Sequence, residues 1–253
     1  MATKSTHTRL VVGSSTEAWD FSGVSNSLEV SLSADKIENT RFQDSGKTYT
    51  SGDASGSIKQ NGYFDATDTG SIEQELAESI ANNETLYVGG IFGTNESAPN
   101  APIAYVARAT NTDGLSISSQ VGNLITLSGS WFDGLGIKRG LQVYRGTITA
   151  TGTTSYIDLG AAGSAGGYAW IWITAVTGTA TNASIILQSD DNTGFSSPAT
   201  EATFTFSGKK AVEASLSGAI DRYLRLSTSS MGGATNFTVC VVAAVDGVTY
   251  NVA

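Results

Sequence analysis

Hydrophobic and polar positions alternate in three stretches of the first half of the chain, at residues 28–33, 58–64 and 125–131. Successive side chains of a β-strand point to opposite faces, so each stretch predicts a strand that is buried on one face only. The apolar positions, predicted to face the core, are Leu28, Val30, Leu32, Ile58, Phe64, Ile125 and Leu127. The polar positions, predicted to lie on the opposite face, are Glu29, Ser31, Ser33, Lys59, Asn61, Thr126, Ser128 and Ser130.

One segment, from about residue 71 to 82, has a helical period instead. Ser71 is a favourable N-cap, and Gln74 three residues later completes a capping-box pattern. Asn82 and Asn83 end the segment and belong to a residue type that accepts the left-handed backbone at a helix end. The apolar stripe predicted to pack against the sheet is Ile72, Leu76 and Ile80.

Further strands are predicted at residues 85–93 and 103–110, so the first half reads β-β-α-β-β-β. The second half has no helical period. Eight strand-like stretches recur there between residues 141 and 245, separated by turn residues, which predicts an all-β sandwich. In residues 169–176, AWIWITAV, both faces are apolar, and this favours a central strand.

A long polar segment, residues 34–56, has too few apolar positions to predict a core element. Ordered loops of this length are commonly functional, so we interpret the segment as an arm that contacts a neighbouring molecule. Isolated aromatic residues and positive charges are suited to such a contact with an acidic surface. The arm residues with these properties are Lys36, Arg41, Phe42, Lys47 and Tyr49.

Charged residues are distributed unevenly along the chain. The first 137 residues hold 7 Lys and Arg but 16 Asp and Glu, whereas the remaining residues hold 7 of each. Together with the glycine-punctuated stretch at 134–140, this step predicts two domains, residues 1–136 and residues 137–253. An acidic first domain argues against tight nucleic-acid binding, which needs a basic footprint.

Candidate chemistry is sparse. One cysteine and one histidine exclude an internal disulfide, a cysteine-based zinc site and a histidine cluster. Residues 41–48 resemble the end of a phosphate loop without its first glycine, and residues 33–36 have a Ser-x-x-Lys spacing at the end of a strand. Asp190 begins a calcium-loop-like turn in which Gly194 replaces an oxygen ligand. The predicted site therefore contains no catalytic residue, no metal ligand and no cofactor.

Asp65 and Asp68 precede the helix, where aspartate is common for capping reasons, although two carboxylates are all that a glycosidase needs. The N-terminal residues lack the long apolar core of a signal peptide, and no apolar run is long enough for a membrane span. We therefore expect a soluble protein that is made in a cytoplasm.

The order of elements in residues 20–132 resembles the major tail (tail tube) protein of long-tailed bacteriophages. The likeness is carried by the stretch TRFQDSGKTYTSGDASGSIKQNGYFDATDTGSIEQEL, a polar segment followed by a strand and an acidic helix. The second half is similar to the β-sandwich appended to tail proteins of this class. The resemblance implies a mainly β fold, with a tail-tube sandwich or barrel carrying one packed helix and then a C-terminal sandwich.

The same resemblance implies a structural role in the virion. Six copies would form a ring, rings would stack into a tube, and the polar strand face would line the lumen. The implied partners are other copies of the chain, a tape-measure protein and other tail proteins, and double-stranded DNA that passes without tight binding. The arm would reach an adjacent ring and order only on stacking, and residues 1–136 would suffice for assembly.

Two other functions remain open from the sequence. A virion surface protein could bind host glycans through the second domain if Trp170 and Trp172 formed an exposed aromatic platform. A sandwich-fold glycosidase could use Asp65 and Asp68 as its acid pair.

Overall fold

The computed structural model describes residues 8–39, 46–47, 49–64, 71–93, 101–132 and 134–250. Within these ranges the protein is mainly β with one α-helix, which confirms the predicted class. The elements of the first part are β1 (Arg9–Gly13), β2 (Ala18–Asp20), β3 (Ser25–Glu38), β4 (Tyr49–Tyr63), α1 (Ile72–Asn82), β5 (Leu86–Phe92), β6 (Ile103–Thr110), β7 (Thr112–Ser118) and β8 (Thr126–Phe132). The elements of the second part are β9 (Ile137–Ile148), β10 (Gly152–Thr153), β11 (Ile157–Asp158), β12 (Gly167–Gly178), β13 (Ala183–Asp190), β14 (Ala199–Phe206), β15 (Lys210–Leu216), β16 (Tyr223–Ser230) and β17 (Ala234–Val245).

The largest sheet, sheet A, has eight antiparallel strands in the order β15-β12-β17-β9-β6-β5-β1-β2. Sheet A curls until its two ends meet. At the meeting point, the backbone N–H of Ala211 on β15 donates to the carbonyl of Ser14, which follows β1, at 2.6 Å. Gly13 permits this approach, since a Cβ there would lie 2.8 Å from the Cβ of Ala211. The indole rings of Trp170 and Trp172 fill the inside of the curl and are fully buried.

Sheet A runs straight through the predicted domain boundary. Strand β6 of the first part pairs with β9 of the second, from Ile103 opposite Leu141 to Ala107 opposite Ile137. The same buried cluster contains Val11 of β1 and Trp172 of β12. The division at residue 136 stays a prediction, but the two parts share one sheet and one buried cluster.

A second sheet, sheet B, contains β3, β4, β8 and β7 in that order and packs on the first part of sheet A. Helix α1 adds Ile72 and Leu76 to the core between the two sheets. Ile58, Leu127 and Trp131 contribute from sheet B and are buried, as the alternation predicts for Ile58 and Leu127. The helix therefore lies on the side of sheet B that carries the apolar residues.

Local capping sets the ends of α1. The hydroxyl of Ser71 accepts from the backbone N–H of Gln74 at 3.3 Å, and Asn83 has φ 50° and ends the helix. Ile80 does not join the packed stripe and is 43% exposed, so its predicted packing role is wrong. At roughly 100° per residue, Ser79 lies closer than Ile80 to the face shared by Ile72 and Leu76. Ser79 is accordingly buried, where its hydroxyl hydrogen-bonds that of Thr112.

The second part is a sandwich. Strands β9, β12 and β17 of sheet A face a third sheet that contains β10, β16, β13 and β14. The eight strands predicted between residues 141 and 245 all form, and β12 lies inside sheet A with both faces buried, as predicted. Tyr250 closes one end, where its hydroxyl donates to the carbonyl of Val245 at 3.2 Å.

We expect Glu75→Gln to stabilise the fold above pH 7 and to leave it unchanged near pH 4. Burial, followed by repulsion from Glu78, Glu17 and Glu84, raises the Glu75 pKa from 4.5 to about 7, although Lys209 opposes the shift. A raised carboxyl pKa means that stability falls as pH rises from about 4.5 to about 7, because ionisation is harder in the folded state.

Glu75 is partly exposed, so solvent screening reduces the gain expected from its neutralisation to about 1 kcal/mol at pH 8. Urea melts at pH 4 and pH 8 would measure it. Glu73→Gln in the same helical turn is the control, and it should lose a little stability at pH 8, because a helix N-terminus favours negative charge. An equal gain in stability at pH 8 for both variants would show that the raised pKa of Glu75 is not the cause of the effect.

Candidate assembly surface

The outer face of sheet B is a mainly polar surface, with the exposed aromatic residues Tyr63 and Phe132 near its two ends along β8. Six of the eight predicted polar-face residues are exposed, and the other two, Ser128 and Ser130, are half-buried. The six are Glu29, Ser31, Ser33, Lys59, Asn61 and Thr126. We call this set of eight residues the polar face. Its side chains point away from the core that contains α1, as the alternation predicts.

Cross-strand pairing holds the polar face in register. Glu29 lies opposite Lys59, and Lys59 lies opposite Ser130 on the next strand. Several side chains bond to one another instead of only to solvent. The bonds are Ser31 Oγ to Glu29 Oε1 at 3.1 Å, Asn61 Nδ2 to Ser27 Oγ at 3.2 Å, and Ser33 Oγ with Ser55 Oγ at 2.9 Å.

Strand β7 extends the surface with residues that the sequence reasoning missed. Its register shifts between Thr112 and Gly114, and Asp113 accepts from the hydroxyl of Ser130 at 3.2 Å. A shallow groove of about 260 Å³ follows, lined by residues of all four strands that include Glu29, Lys59 and Ser116. The polar face and β7 thus present two carboxylates and one ammonium among hydroxyl and amide groups.

Two residues predicted to lie in the core do not. Leu32 is 58% exposed and Ile125 is 39% exposed. Leu32 on β3 pairs with Gly56 on β4. Gly56 lies one residue beyond Ser57, which pairs with Phe132, the last residue of β8. Ile125 immediately precedes β8, at the other end of that strand. Alternation determines the face on which a residue lies but does not show how deeply it is buried.

Both edges of sheet B are open in the described part of the chain. Strand β3 forms one edge and β7 the other. An exposed edge presents unpaired backbone N–H and C=O groups and tends to pair with another chain.

Several solved structures are similar to this chain over about half its length. No protein-family model and no curated protein match the chain. The SPP1 tail tube is 12% identical with a TM-score of 0.45, and the match covers 55% of this chain and 78% of that chain. A virion of a native gene transfer agent particle is 12% identical with a TM-score of 0.40, covering 51% of this chain and 94% of that chain. The sheath–tube complex of an extracellular contractile injection system is 16% identical with a TM-score of 0.38, and the match covers 53% of this chain and 88% of that chain.

The predicted arm is largely a β-hairpin, so its interpretation as a loop is wrong for residues 34–38 and 49–56. Strands β3 and β4 stay paired from Leu32 opposite Gly56 to Glu38 opposite Tyr49. A ribbon with polar residues on both faces gives no alternation signal, which explains the error. Of the predicted arm residues, Lys36 and Tyr49 lie in these strands, and Lys47 is exposed and bonds Glu38 at 3.0 Å. Arg41 and Phe42 lie outside the described residues.

The calcium-loop-like turn at Asp190 has a structural explanation. Asp190 is buried, and its carboxylate accepts from the backbone N–H of Asn192 at 3.0 Å and of Ser197 at 3.1 Å. These bonds lower the Asp190 pKa, the bond from Asn192 most, and they hold the turn together. Asp65 and Asp68 lie outside the described residues. Where side chains are described, no cluster of three metal-ligating residues occurs, and α1 is too short and polar to cross a membrane.

Proposed function

We propose that this chain is a structural subunit of a phage-type tail tube, with sheet B facing the lumen. The observation that carries the proposal is sheet B itself, which is packed on one face, mainly polar on the other and open at both edges. The sequence resemblance of residues 20–132 to tail tube proteins supports the same role. The location that follows is the virion, after synthesis in the cytoplasm of a bacterial host.

Ring closure would use the two open edges. The edge of β3 in one copy would pair with the edge of β7 in the next, which is a heterologous contact because two different surfaces meet. Such a contact closes into a ring when the rotation between neighbours divides the circle, and six copies is the number that the resemblance implies. A closed ring leaves no free sheet edge in the lumen wall, and this protects the assembled protein from further edge pairing.

The chemistry of the polar face suits a conduit. Hydroxyl and amide groups predominate, and Glu29 and Asp113 outnumber Lys59. A wall of this kind neutralises few phosphates, so it would release few counterions and would bind DNA weakly. The proposed contents of the lumen are a tape-measure protein before ejection and double-stranded DNA during it. No catalytic step is part of this role.

The glycan-binding alternative loses its sequence support. Trp170 and Trp172 are fully buried inside the curl of sheet A, and their indole N–H groups donate to Glu213 at 2.7 Å and to the carbonyl of Tyr87 at 3.0 Å. Neither ring can serve as a platform for a sugar, which requires an exposed aromatic face.

Electron microscopy of the purified full chain at rising concentration tests the proposal. We expect six-fold rings and, above a threshold concentration, tubes with a central channel. Analytical ultracentrifugation on the same samples measures the stoichiometry of the smallest closed species. A chain that remains monomeric at every concentration, or that closes only as a two-fold dimer, would refute the tube assignment.

A further inference from the structure

Arg225 is held in a fixed position on the outer face of the third sheet. It lies on β16 between Leu224 and Leu226, which face the core, so its side chain points to the opposite face. Its Nε donates to Oε1 of Gln188 on β13 at 3.0 Å, and its guanidinium carbon lies 4.1 Å from the centre of the Phe195 ring. The guanidinium is therefore positioned by two contacts before any ligand arrives.

Phe195 reaches this position at a cost in backbone energy. It lies in the turn between β13 and β14 with φ 48°, a left-handed conformation that favours glycine, and it is only 7% exposed. Residues held in such sparsely populated backbone regions cluster at ligand sites, where the surrounding structure gains from the strain. The Phe195 ring contacts Arg225, and its centre lies 6.3 Å from that of the Tyr156 ring. The strained turn therefore serves to place an aromatic ring against the guanidinium.

Arg225 lacks the ion pair that its neighbour Arg222 has. Arg222 makes two hydrogen bonds of 2.7 Å to the carboxylate of Asp158. Within the described residues, no carboxylate lies close enough to Arg225 for an ion pair, and its Nη groups donate to no protein acceptor. The carboxylates of Asp190 and Asp191 accept hydrogen bonds within their own turn instead. A guanidinium whose position is fixed and whose charge is not paired is suited to an anionic ligand.

An aromatic ring and a hydroxyl group lie on either side of Arg225 along β16. Tyr223 precedes it by two residues on the same face, and Ser227 follows it by two. The Tyr223 ring packs edge-on against Tyr156, with 5.4 Å between the ring centres, and both tyrosines are half-buried. A ligand bound at Arg225 would therefore meet a partly exposed tyrosine on one side and a hydroxyl group on the other.

We propose that Arg225 and its neighbours form a site for an acidic saccharide, in which the Nη groups bind the carboxylate of a uronic acid. A guanidinium offers paired N–H donors in one plane, which match the two oxygens of a carboxylate. Tyr223 and Ser227 supply an apolar ring and a hydroxyl for the rest of the sugar. Because Asp158 neutralises the Arg222 charge, the positive charge available to a ligand is that of Arg225. That charge fits a singly charged carboxylate better than a phosphate group, which carries about two charges.

The proposed site is separate from both the polar face and the buried tryptophans. Trp170 and Trp172 lie inside the curl of sheet A, whereas Arg225 lies on the outer face of the third sheet. Saccharide binding at Arg225 would therefore be an additional activity of the second part of the chain, and it does not require the tube function.

Equilibrium dialysis of the full chain against fluorescently labelled trigalacturonate tests the site, and this method works whether or not the chain is assembled. We expect saturable binding that Arg225→Lys weakens at least about tenfold, because lysine keeps the charge but loses the paired donors. Phe195→Leu should weaken binding about threefold through loss of the cation–π contact. Arg222→Lys is the matched control and should leave the affinity within about twofold. Melting curves show that each variant is folded.

Matched ligands identify what the site recognises. Methyl-esterified trigalacturonate keeps the sugar rings without the charges, and triglutamate keeps carboxylates without the rings, so each should bind at least about tenfold more weakly. Equal binding of the ester would overturn the role of Arg225, and equal binding of the peptide would overturn the saccharide as the ligand. Absence of saturable binding to the unsubstituted chain, or equal binding by Arg225→Lys, would overturn the site itself. The tube function would stand in each case, because no residue of the site lies in sheet B.

Discussion

A chain that ends at Gly136 is expected to be insoluble or unfolded, contrary to the sequence-based expectation that residues 1–136 assemble alone. Its loss of β9 would leave β6 as a new sheet edge, and its loss of β12 would remove both indole rings from the curl. Val11, Ile91 and Val106, each fully buried in the whole protein, would then be open to water. Exposing a large aliphatic side chain costs about 1.5–3 kcal/mol, so three of them offset much of the 5–15 kcal/mol that typically stabilises a domain.

Solubility, circular dichroism and urea melts of the shortened chain measure this effect. The matched control is co-expression of residues 137–253 as a separate piece, which should restore a soluble complex because it returns β9, β12, β15 and β17 to sheet A. A soluble piece of residues 1–136 that melts cooperatively and forms rings by itself would show that the shared sheet is dispensable.

Local patterns predicted those parts of the fold that local rules govern. The polar face follows from the alternation of β3, β4 and β8, and the ends of α1 follow from Ser71 and from Asn82 and Asn83, of which Asn83 has the left-handed backbone. Ile80 shows the limit of such patterns, because a four-residue spacing includes it while the packed face of the helix turns toward Ser79. Leu32 and Ile125 show a second limit, since strand parity does not reveal how deeply a residue on the core side is buried.

The pairing of strands that lie far apart in the sequence could not be predicted, for a different reason. Strand β1 was not predicted, because it has only five residues and pairs with β5, which lies far away in the sequence. Strands β2 and β7 were not predicted either. The step in charge near residue 137 suggested a domain boundary, yet surface charge reflects the solvent-facing residues and contains no information on strand pairing. The β6–β9 pairing across that step could be found only in three dimensions.

A buried ionic cluster closes one end of the curl of sheet A. The guanidinium of Arg108 on β6 makes two hydrogen bonds of 2.8 Å to the carboxylate of Glu213 on β15. Trp170 Nε1 donates to the same carboxylate at 2.7 Å, and the Tyr168 ring lies 3.6 Å from the Arg108 guanidinium carbon. The side chains of Arg108 and Glu213 are only 10% and 14% exposed, so little water can replace the hydrogen bonds between them.

Glu213→Gln is expected to destabilise the protein by about 3 kcal/mol at pH 7, because it leaves the Arg108 charge buried without its counter-ion. Burial alone would raise the Glu213 pKa, but hydrogen bonds from Arg108 and Trp170 outweigh it and lower the pKa below its ordinary value of 4.5. A carboxyl whose pKa is lowered by folding contributes stability above its unfolded pKa and loses that contribution as pH falls further. Urea melts should therefore show the full difference in unfolding free energy between the unsubstituted protein and Glu213→Gln above about pH 5. This difference should shrink as pH falls below 4.5.

The matched control for this variant is Asp158→Asn, which removes the carboxylate that Arg222 contacts through two similar hydrogen bonds of 2.7 Å. The Arg222 side chain is 46% exposed, so water replaces its lost partner and the destabilisation should be much smaller. Equal losses of stability for Glu213→Gln and Asp158→Asn would mean that burial of the Arg108–Glu213 pair does not increase the cost of breaking it. A loss for Glu213→Gln that persists unchanged at pH 3 would show that the packing of Trp170 and Tyr168, and not the ionised carboxylate, holds this end of the curl together.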